Sequence, residues 1–155
     1  MERDLIGYGP NPPRIEWPNG ARIAVSVVVN YEEGSEYSLL DGDPHHETNN
    51  EVPSPVPPGE RDLANESFFQ YGSRVGVWRV LRTLDEFNIP ATFFCCALAL
   101  ERNPAVGPEI VRRDHEVFGH GYRWEESFRM TRDEEREAMH RTVESLKRTT
   151  GQRPL

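Results

Sequence analysis

The sequence predicts an α/β fold in which parallel strands alternate with helices, and three observations support this prediction. A nearly continuous apolar run at residues 23–29, rich in valine, is typical of a strand buried on both faces of a parallel sheet. A second apolar run follows at 91–98, and a shorter strand pattern at 116–120. Segments with helical spacing separate the runs, and this alternation favours parallel pairing with right-handed crossovers.

The length of the chain fits part of a barrel better than a closed one. A (β/α) barrel typically needs about 250 residues, whereas this chain has 155. Residues 1–155 are therefore interpreted as a single partial domain, and the sequence looks cut short. Strand edges left uncovered at such an end would be a poor state for a soluble protein.

The first part of the chain is predicted to form an extended arm, a strand and a long loop. Residues 1–21 are rich in proline and glycine, and Tyr8 and Trp17 are expected to hold this arm against the surface. The first strand is expected over 22–30. The loop at 35–66 shows no periodicity, and structureless loops of this length are usually functional or disordered. We expect it to fold over the end of the strand as a lid.

The rest of the chain, residues 22–155 without that loop, is predicted to hold the other strands and helices of a half-barrel. The expected elements are, in order, a helix at 67–87, a strand at 91–98, a helix at 104–113, a strand at 116–120 and a helix at 131–149. Asn88 is expected to end the first helix in a left-handed conformation, and Gly151 the last. A capping box, Thr131 to Glu134, begins the last helix. Its inner face is predicted to be formed by Met139, Val143 and Leu146.

Composition and charge argue against several classes of function. The net charge of −8 argues against nucleic acid or an anionic membrane surface as the main partner. No stretch approaches the roughly 20 apolar residues of a membrane span, and the N-terminus lacks the layout of a signal peptide. The expected location is therefore cytoplasmic, where Cys95 and Cys96 are predicted to be buried, structural thiols.

Candidate chemistry lies where two of the predicted strands end. Glu32 and Glu33 follow the first strand, and His120 ends the third. Because the carboxyl ends of parallel strands face one site in such folds, we expect the three side chains to meet there. A carboxylate and an imidazole can take a proton from water and return it to a leaving nitrogen. His45 and His46 in the long loop form a much weaker candidate for a metal cluster.

Two segments resemble motifs of the polysaccharide deacetylase (NodB-homology) superfamily. Residues 30–34, Asn-Tyr-Glu-Glu-Gly, resemble its first motif, usually Thr-Phe-Asp-Asp-Gly, and residues 118–124 resemble its second, usually His-Ser-x-x-His. The bacterial allantoinase branch resembles the chain further at 3–9, 30–36, 66–74 and 120–124. The resemblance covers essentially the whole chain but only the N-terminal half of a family member. It implies the N-terminal half of a distorted (β/α) barrel of the polysaccharide deacetylase type.

The resemblance also implies roles for individual residues. Glu32 falls at the position of the general base, Glu33 at that of a metal-binding aspartate and His120 at that of the first metal-binding histidine. The second histidine position holds Trp124, whose indole has no lone pair for a metal. Since a catalytic zinc needs three protein ligands, no cofactor is expected, as the allantoinase branch also implies. Glu36, Arg74 and Trp124 are expected to shape the substrate pocket.

The leading hypothesis is therefore a metal-independent hydrolysis of a ring C–N bond in a cyclic ureide or imide, as in allantoin. Glu32 is predicted to be the general base, Glu33 to orient water or substrate, and His120 to stabilise the oxyanion or protonate the departing nitrogen. The first alternative is an N-deacetylase of acetylated sugars, with zinc held by Glu33 and His120 and completed by His45 or His46. The second alternative is a non-catalytic fragment or half-barrel. The resemblance implies a homo-oligomer, and the half-barrel predicts pairing with the absent C-terminal half.

Overall fold

The computed structural model of the chain describes residues 3–48 and 53–154. Three parallel strands, β1 (Val28–Tyr31), β2 (Thr92–Cys95) and β3 (Glu116–Gly119), form one sheet in the order β1-β2-β3. Helices follow the first two strands and lead into the next, which confirms the predicted α/β architecture. Residues 49–52 of the predicted loop and 1–2 of the predicted arm lie outside the described residues.

The first strand is shorter than predicted, and the expectation that it is buried on both faces is wrong. Pairing begins at Val28 with Thr92, and Ile23 and Val25 are exposed. Pro90 lies just upstream of β2 and has no N–H to donate, so the ladder cannot continue toward residue 22. Apolar, β-branched sequence alone therefore does not make a strand without a partner.

Helical structure between the first two strands begins earlier than predicted and contains a defect. Helix α1 (Leu63–Tyr71) starts at an Asp62 N-cap, so the predicted loop ends before 66. A π-helical segment, Gly72–Gly76, joins it to α2 (Val77–Phe87). The left-handed Asn88 that follows α2 confirms the predicted end.

Sequence reasoning missed one short helix after β2. The apolar run predicted as strand to residue 98 turns at Cys96 into α3 (Ala97–Arg102). Helix α4 (Val106–Arg112) then leads to β3. The run was misread because residues 97–100 are apolar and fully or largely buried in a helix as they would be in a strand.

The last helix, α5 (Arg132–Thr150), has the predicted capping box at Thr131 and a left-handed Gly151 after it. Its predicted inner face is partly wrong. Met139 is 64% exposed, whereas Leu146 is fully buried. The buried side is completed by small polar residues, Thr142, Ser145 and Thr150.

The two faces of the sheet have different surroundings. Side chains of one face pack with α2, α3, α4 and α5 into the hydrophobic core, among them Tyr31, Phe93, Cys95 and Val117. The other face carries Val28, Phe94 and Phe118, of which Val28 and Phe118 are exposed.

In the N-terminal arm Tyr8 is 75% and Trp17 is 39% exposed, so these aromatics do not anchor the arm as predicted. Within the described residues, no helix is both long and apolar enough for a membrane crossing.

Candidate active site

The candidate site lies where the three strands end. The last pairs in register join Tyr31 to Cys95 and Cys95 to Gly119. The next residues therefore form a row across the edge of the sheet, namely Glu32, Cys96 and His120. Backbone hydrogen bonds hold this row: the Cys96 amide donates to the Tyr31 carbonyl and the His120 amide to the Cys95 carbonyl, each at 3.0 Å.

Two of the predicted catalytic side chains are in direct contact. Nε2 of His120 lies 3.0 Å from Oε1 of Glu32, and their side chains are 40% and 20% exposed. When Glu32 is ionised it can only accept, so Nε2 carries the proton of this hydrogen bond. The imidazole also lies beside the Phe94 ring, with centroids 5.8 Å apart. The pair is therefore fixed by a hydrogen bond and an aromatic neighbour while His120 stays open to solvent.

Glu33 is adjacent to this pair but points at the helical side of the strand. Its carboxylate packs so closely on Gly72 that a Cβ there would lie 2.3 Å from Oε1. Glycine at the start of the π-helical segment is what allows this approach. Glu33 also lines a cavity of about 260 Å³ together with Tyr31, Tyr71 and Val77. Orientation of water or substrate by Glu33 stays a prediction.

Of the three predicted pocket residues, Glu36 and Trp124 pack into the site's surroundings and Arg74 does not. Glu36 accepts a hydrogen bond of 2.6 Å from the Gly34 amide, and burial raises the pKa of its carboxyl. Trp124 packs edge-on against Phe69 with centroids 5.8 Å apart. Arg74 is exposed in the π-helical segment and forms no hydrogen bond or ion pair with any described residue.

The described residues do not fit a catalytic metal. They contain no group of three or more histidine, cysteine, aspartate and glutamate side chains placed to hold an ion. At the second histidine position the Trp124 indole can only donate a hydrogen bond, and the Nε2 atom of His120 is engaged by Glu32. In the loop, Nδ1 of His46 bonds the Glu60 carbonyl at 2.8 Å. His45 and His46 thus show no ligand geometry that would complete a zinc site.

Two arginines for which the sequence predicts no role, Arg102 and Arg123, bind the segment after β1. Arg123 binds Asp43 through two hydrogen bonds of 3.1 and 2.8 Å and also donates to the Glu36 carbonyl at 2.9 Å. Its guanidinium lies 4.3 Å from the centre of the Tyr37 ring. Arg102 of α3 donates to the Gly34 carbonyl and pairs with Asp41 at 2.8 Å. Together they fix the loop over the strand ends.

Cys96 completes the row and was predicted to be structural. Its thiol is fully buried and donates to the carbonyl of His120 at 3.2 Å. Burial, with the charge of Glu32 as the next contribution, raises the pKa of this thiol to about 12. The burial prediction for Cys95 and Cys96 is confirmed, but the position of Cys96 between Glu32 and His120 needed the strand register to be seen.

Comparisons with known proteins agree with this fold. Residues 66–155 match the family model for polysaccharide deacetylase. A Schizosaccharomyces pombe protein provisionally named a polysaccharide deacetylase is 37% identical over 96% of this chain and 48% of its own length. The crystal structure of the Puue allantoinase is 45% identical with a TM-score of 0.87, over 100% of this chain and 52% of that one.

A second solved structure, from Pseudomonas aeruginosa PAO1, is provisionally named a polysaccharide deacetylase. It is also 45% identical with a TM-score of 0.87, over 99% of this chain and 52% of its own. Equally similar structures therefore carry different names, so similarity alone does not choose the substrate. The chain spans about half the length of these relatives.

Proposed function

The chain belongs to the polysaccharide deacetylase family, a family of hydrolases, and we propose that it forms the acid–base half of an active site that opens a cyclic ureide of the allantoin type. The observation that carries the proposal is the 3.0 Å contact of Glu32 with His120. Trp124, at the place of the family's second histidine, supports a reaction that does not use a metal.

In the proposed reaction Glu32 is the general base. Its oxygen that does not contact His120 takes a proton from water, and the water oxygen forms a bond to the ring carbonyl carbon. The C–N bond then breaks, the electron pair goes to nitrogen, and the nitrogen takes the proton back from Glu32. Because the proton removed from water is the one that the nitrogen needs, the cycle closes without an external acid.

His120 has two parts in this proposal. Through Nε2 it keeps one oxygen of Glu32 in place, so the other oxygen faces the water. In its protonated form the imidazole also has an N–H at Nδ1, which can donate to the oxyanion of the tetrahedral adduct. A strained ring amide is an easier target than an acetamide, so fixed hydrogen-bond donors can replace a Lewis acid here.

Removal of an acetyl group from an N-acetylated sugar is the second candidate. A groove of about 660 Å³ beside the site, lined in part by Tyr37, Trp124 and Phe128, favours it. The groove is larger than a small ureide requires, and its aromatic rings suit sugar faces. The lack of a third metal ligand among residues 3–48 and 53–154 counts against this reaction.

The test is turnover by the intact gene product of cyclic ureides, cyclic imides and N-acetylated oligosaccharides, with metal content measured on the same sample. We expect ring opening of a ureide that survives treatment with a chelator. Release of acetate in proportion to bound zinc would instead establish the deacetylase.

Assembly is part of the proposal, because the chain spans about half of its relatives. We propose that the open face of the sheet is completed by the C-terminal half of such a barrel, and that the assembled protein is a homo-oligomer in the cytoplasm. Activity of the 155-residue chain is therefore expected only with that half supplied. Turnover by the chain alone would contradict this, and inactivity of both forms on every substrate would favour a non-catalytic scaffold.

A further inference from the structure

Cys96 lies at the end of β2 and forms hydrogen bonds with the ends of both neighbouring strands. Its amide donates to the end of β1 at Tyr31, and its thiol donates to the carbonyl of His120 after β3. The first two amides of α3, from Ala97 and Leu98, bond the carbonyls of Gly121 and Tyr122 at 3.0 and 2.9 Å. The turn at Cys96 is thus tied directly to the segment that carries His120.

Two buried polar groups also surround the Cys96 sulfur. Oγ of Ser35 and Nε1 of Trp124 are fully buried and form no regular hydrogen bond with any described residue. Both nevertheless lie close enough to the sulfur to lower the pKa of its thiol, against the larger effect of burial. The thiol is therefore buried beside polar groups as well as apolar ones.

We propose that Cys96 is a positioning residue for the acid–base pair: its thiol holds the backbone of His120 in place. The expected effect of Cys96 on catalysis rests on the proposed function, whereas its structural role does not. A neutral thiol suits this place because it adds no second negative charge beside Glu32. The role is indirect, since no reacting atom is bonded to the sulfur.

The neighbouring cysteine provides a matched control. Cys95 is equally buried, but it points to the helix-covered face, where its thiol lies 3.6 Å from the Phe93 carbonyl. Cys95→Ala and Cys96→Ala remove the same atom one residue apart. A role limited to packing predicts the same outcome for both, whereas positioning predicts a difference.

The experiment compares Cys96→Ala, Cys96→Ser and Cys95→Ala in the intact gene product. We expect Cys96→Ala to lower kcat about tenfold with little change in KM, because small misplacements of catalytic groups are costly. Cys96→Ser keeps a donor for the His120 carbonyl and is expected to recover part of kcat. Cys95→Ala is expected to lower the melting temperature and leave kcat within about twofold.

A second readout does not depend on activity. By NMR, hydrogen exchange of the His120 backbone amide and the chemical shifts of the His120 ring are expected to change in Cys96→Ala and not in Cys95→Ala. Unchanged exchange and chemical shifts in Cys96→Ala, or equal changes in both alanine variants, would overturn the positioning role. If the wild-type protein opens no ureide, the proposed function fails, and the NMR comparison still decides this inference.

Discussion

The two faces of the sheet contain similar residue types and have different functions. Phe93 and Phe94 are adjacent on β2, yet Phe93 is fully buried against helices and Phe94 lies on the open face beside Phe118 and His120. Cys95 and Cys96 at the end of the same strand are both fully buried, but their thiols contact different groups, the Phe93 carbonyl and the His120 carbonyl. The alternation of side chains along a strand is sufficient to separate them.

This contrast shows where stability and chemistry are located. The covered face buries its side chains within the described residues and therefore supplies most of the hydrophobic stabilisation. The open face leads into the row that holds Glu32 and His120, where partial exposure is required for contact with substrate. Substitutions on the covered face should therefore lower stability, and substitutions at the end of the open face should lower activity.

The largest expected effect is on the open side, from Glu32→Gln in the intact gene product. The amide cannot take a proton from water, so kcat should fall about 10³-fold, within the range for loss of a general base. The melting temperature should stay within a few degrees of wild type. Steady-state kinetics and a thermal melt check both parts.

Glu116→Gln provides the control for that substitution. Glu116 lies on the same face of the sheet at the opposite end of β3, where it accepts a hydrogen bond of 2.7 Å from Thr92. Its activity should remain near that of wild type. Equal losses in the two variants would mean that negative charge on this face, and not the position of Glu32, matters.

The second prediction compares the two phenylalanines directly. In the 155-residue chain Phe93→Ala should lower the free energy of unfolding by about 4 kcal/mol, because it leaves a cavity in the core. Phe94→Ala should cost about 1 kcal/mol, since its ring is only partly buried. Urea denaturation measures both. Similar costs would show that the open face is packed more tightly than its exposure indicates.

The sequence-based predictions succeed for features that depend on local sequence and fail for features that depend on distant parts of the chain. The ends of the first and third strands, to within one residue, and the caps of α5 depend on local patterns, and these predictions are confirmed. The contact of Glu32 with His120 follows from those two strand ends. The start of β1 depends on whether a partner strand reaches residue 22, which local pattern cannot show. The approach of Glu33 to Gly72 was likewise invisible, because the π-helical segment that creates it has no clear sequence signal.

The third prediction concerns the loop that lies over the site. Arg123→Ala removes the ion-pair partner of Asp43, and both side chains are largely buried, so the expected cost is about 2 kcal/mol. The loss should be local. Hydrogen exchange of the Asp43 and Glu47 amides, which bond the Ser38 and Tyr37 carbonyls, should become faster. Arg136→Ala removes only an exposed pair with Asp133 and should change neither quantity.

The smallest expected effect is a pH dependence on the covered side, at His115. Its Nδ1 accepts a hydrogen bond of 3.3 Å from the Ala91 amide, and its Nε2 is buried without a partner among the described residues. Burial lowers the pKa of this imidazole, so the unfolded chain binds the proton first as the pH falls. This contribution to stability is therefore complete above the unfolded pKa of about 6.5 and is lost as the pH falls through the lower, folded value.

His115→Asn places an amide oxygen near the Nδ1 position and cannot be protonated in this range. Urea denaturation between pH 7.5 and 5, a window chosen around the unfolded pKa of about 6.5, should show a smaller loss of stability in the variant than in wild type. The same substitution at the exposed His140 of α5 should leave the wild-type slope. Parallel curves for wild type and His115→Asn would place the acid sensitivity elsewhere. Parallel curves would also show that the covered face tolerates a charge at His115, which would weaken the contrast between the two faces.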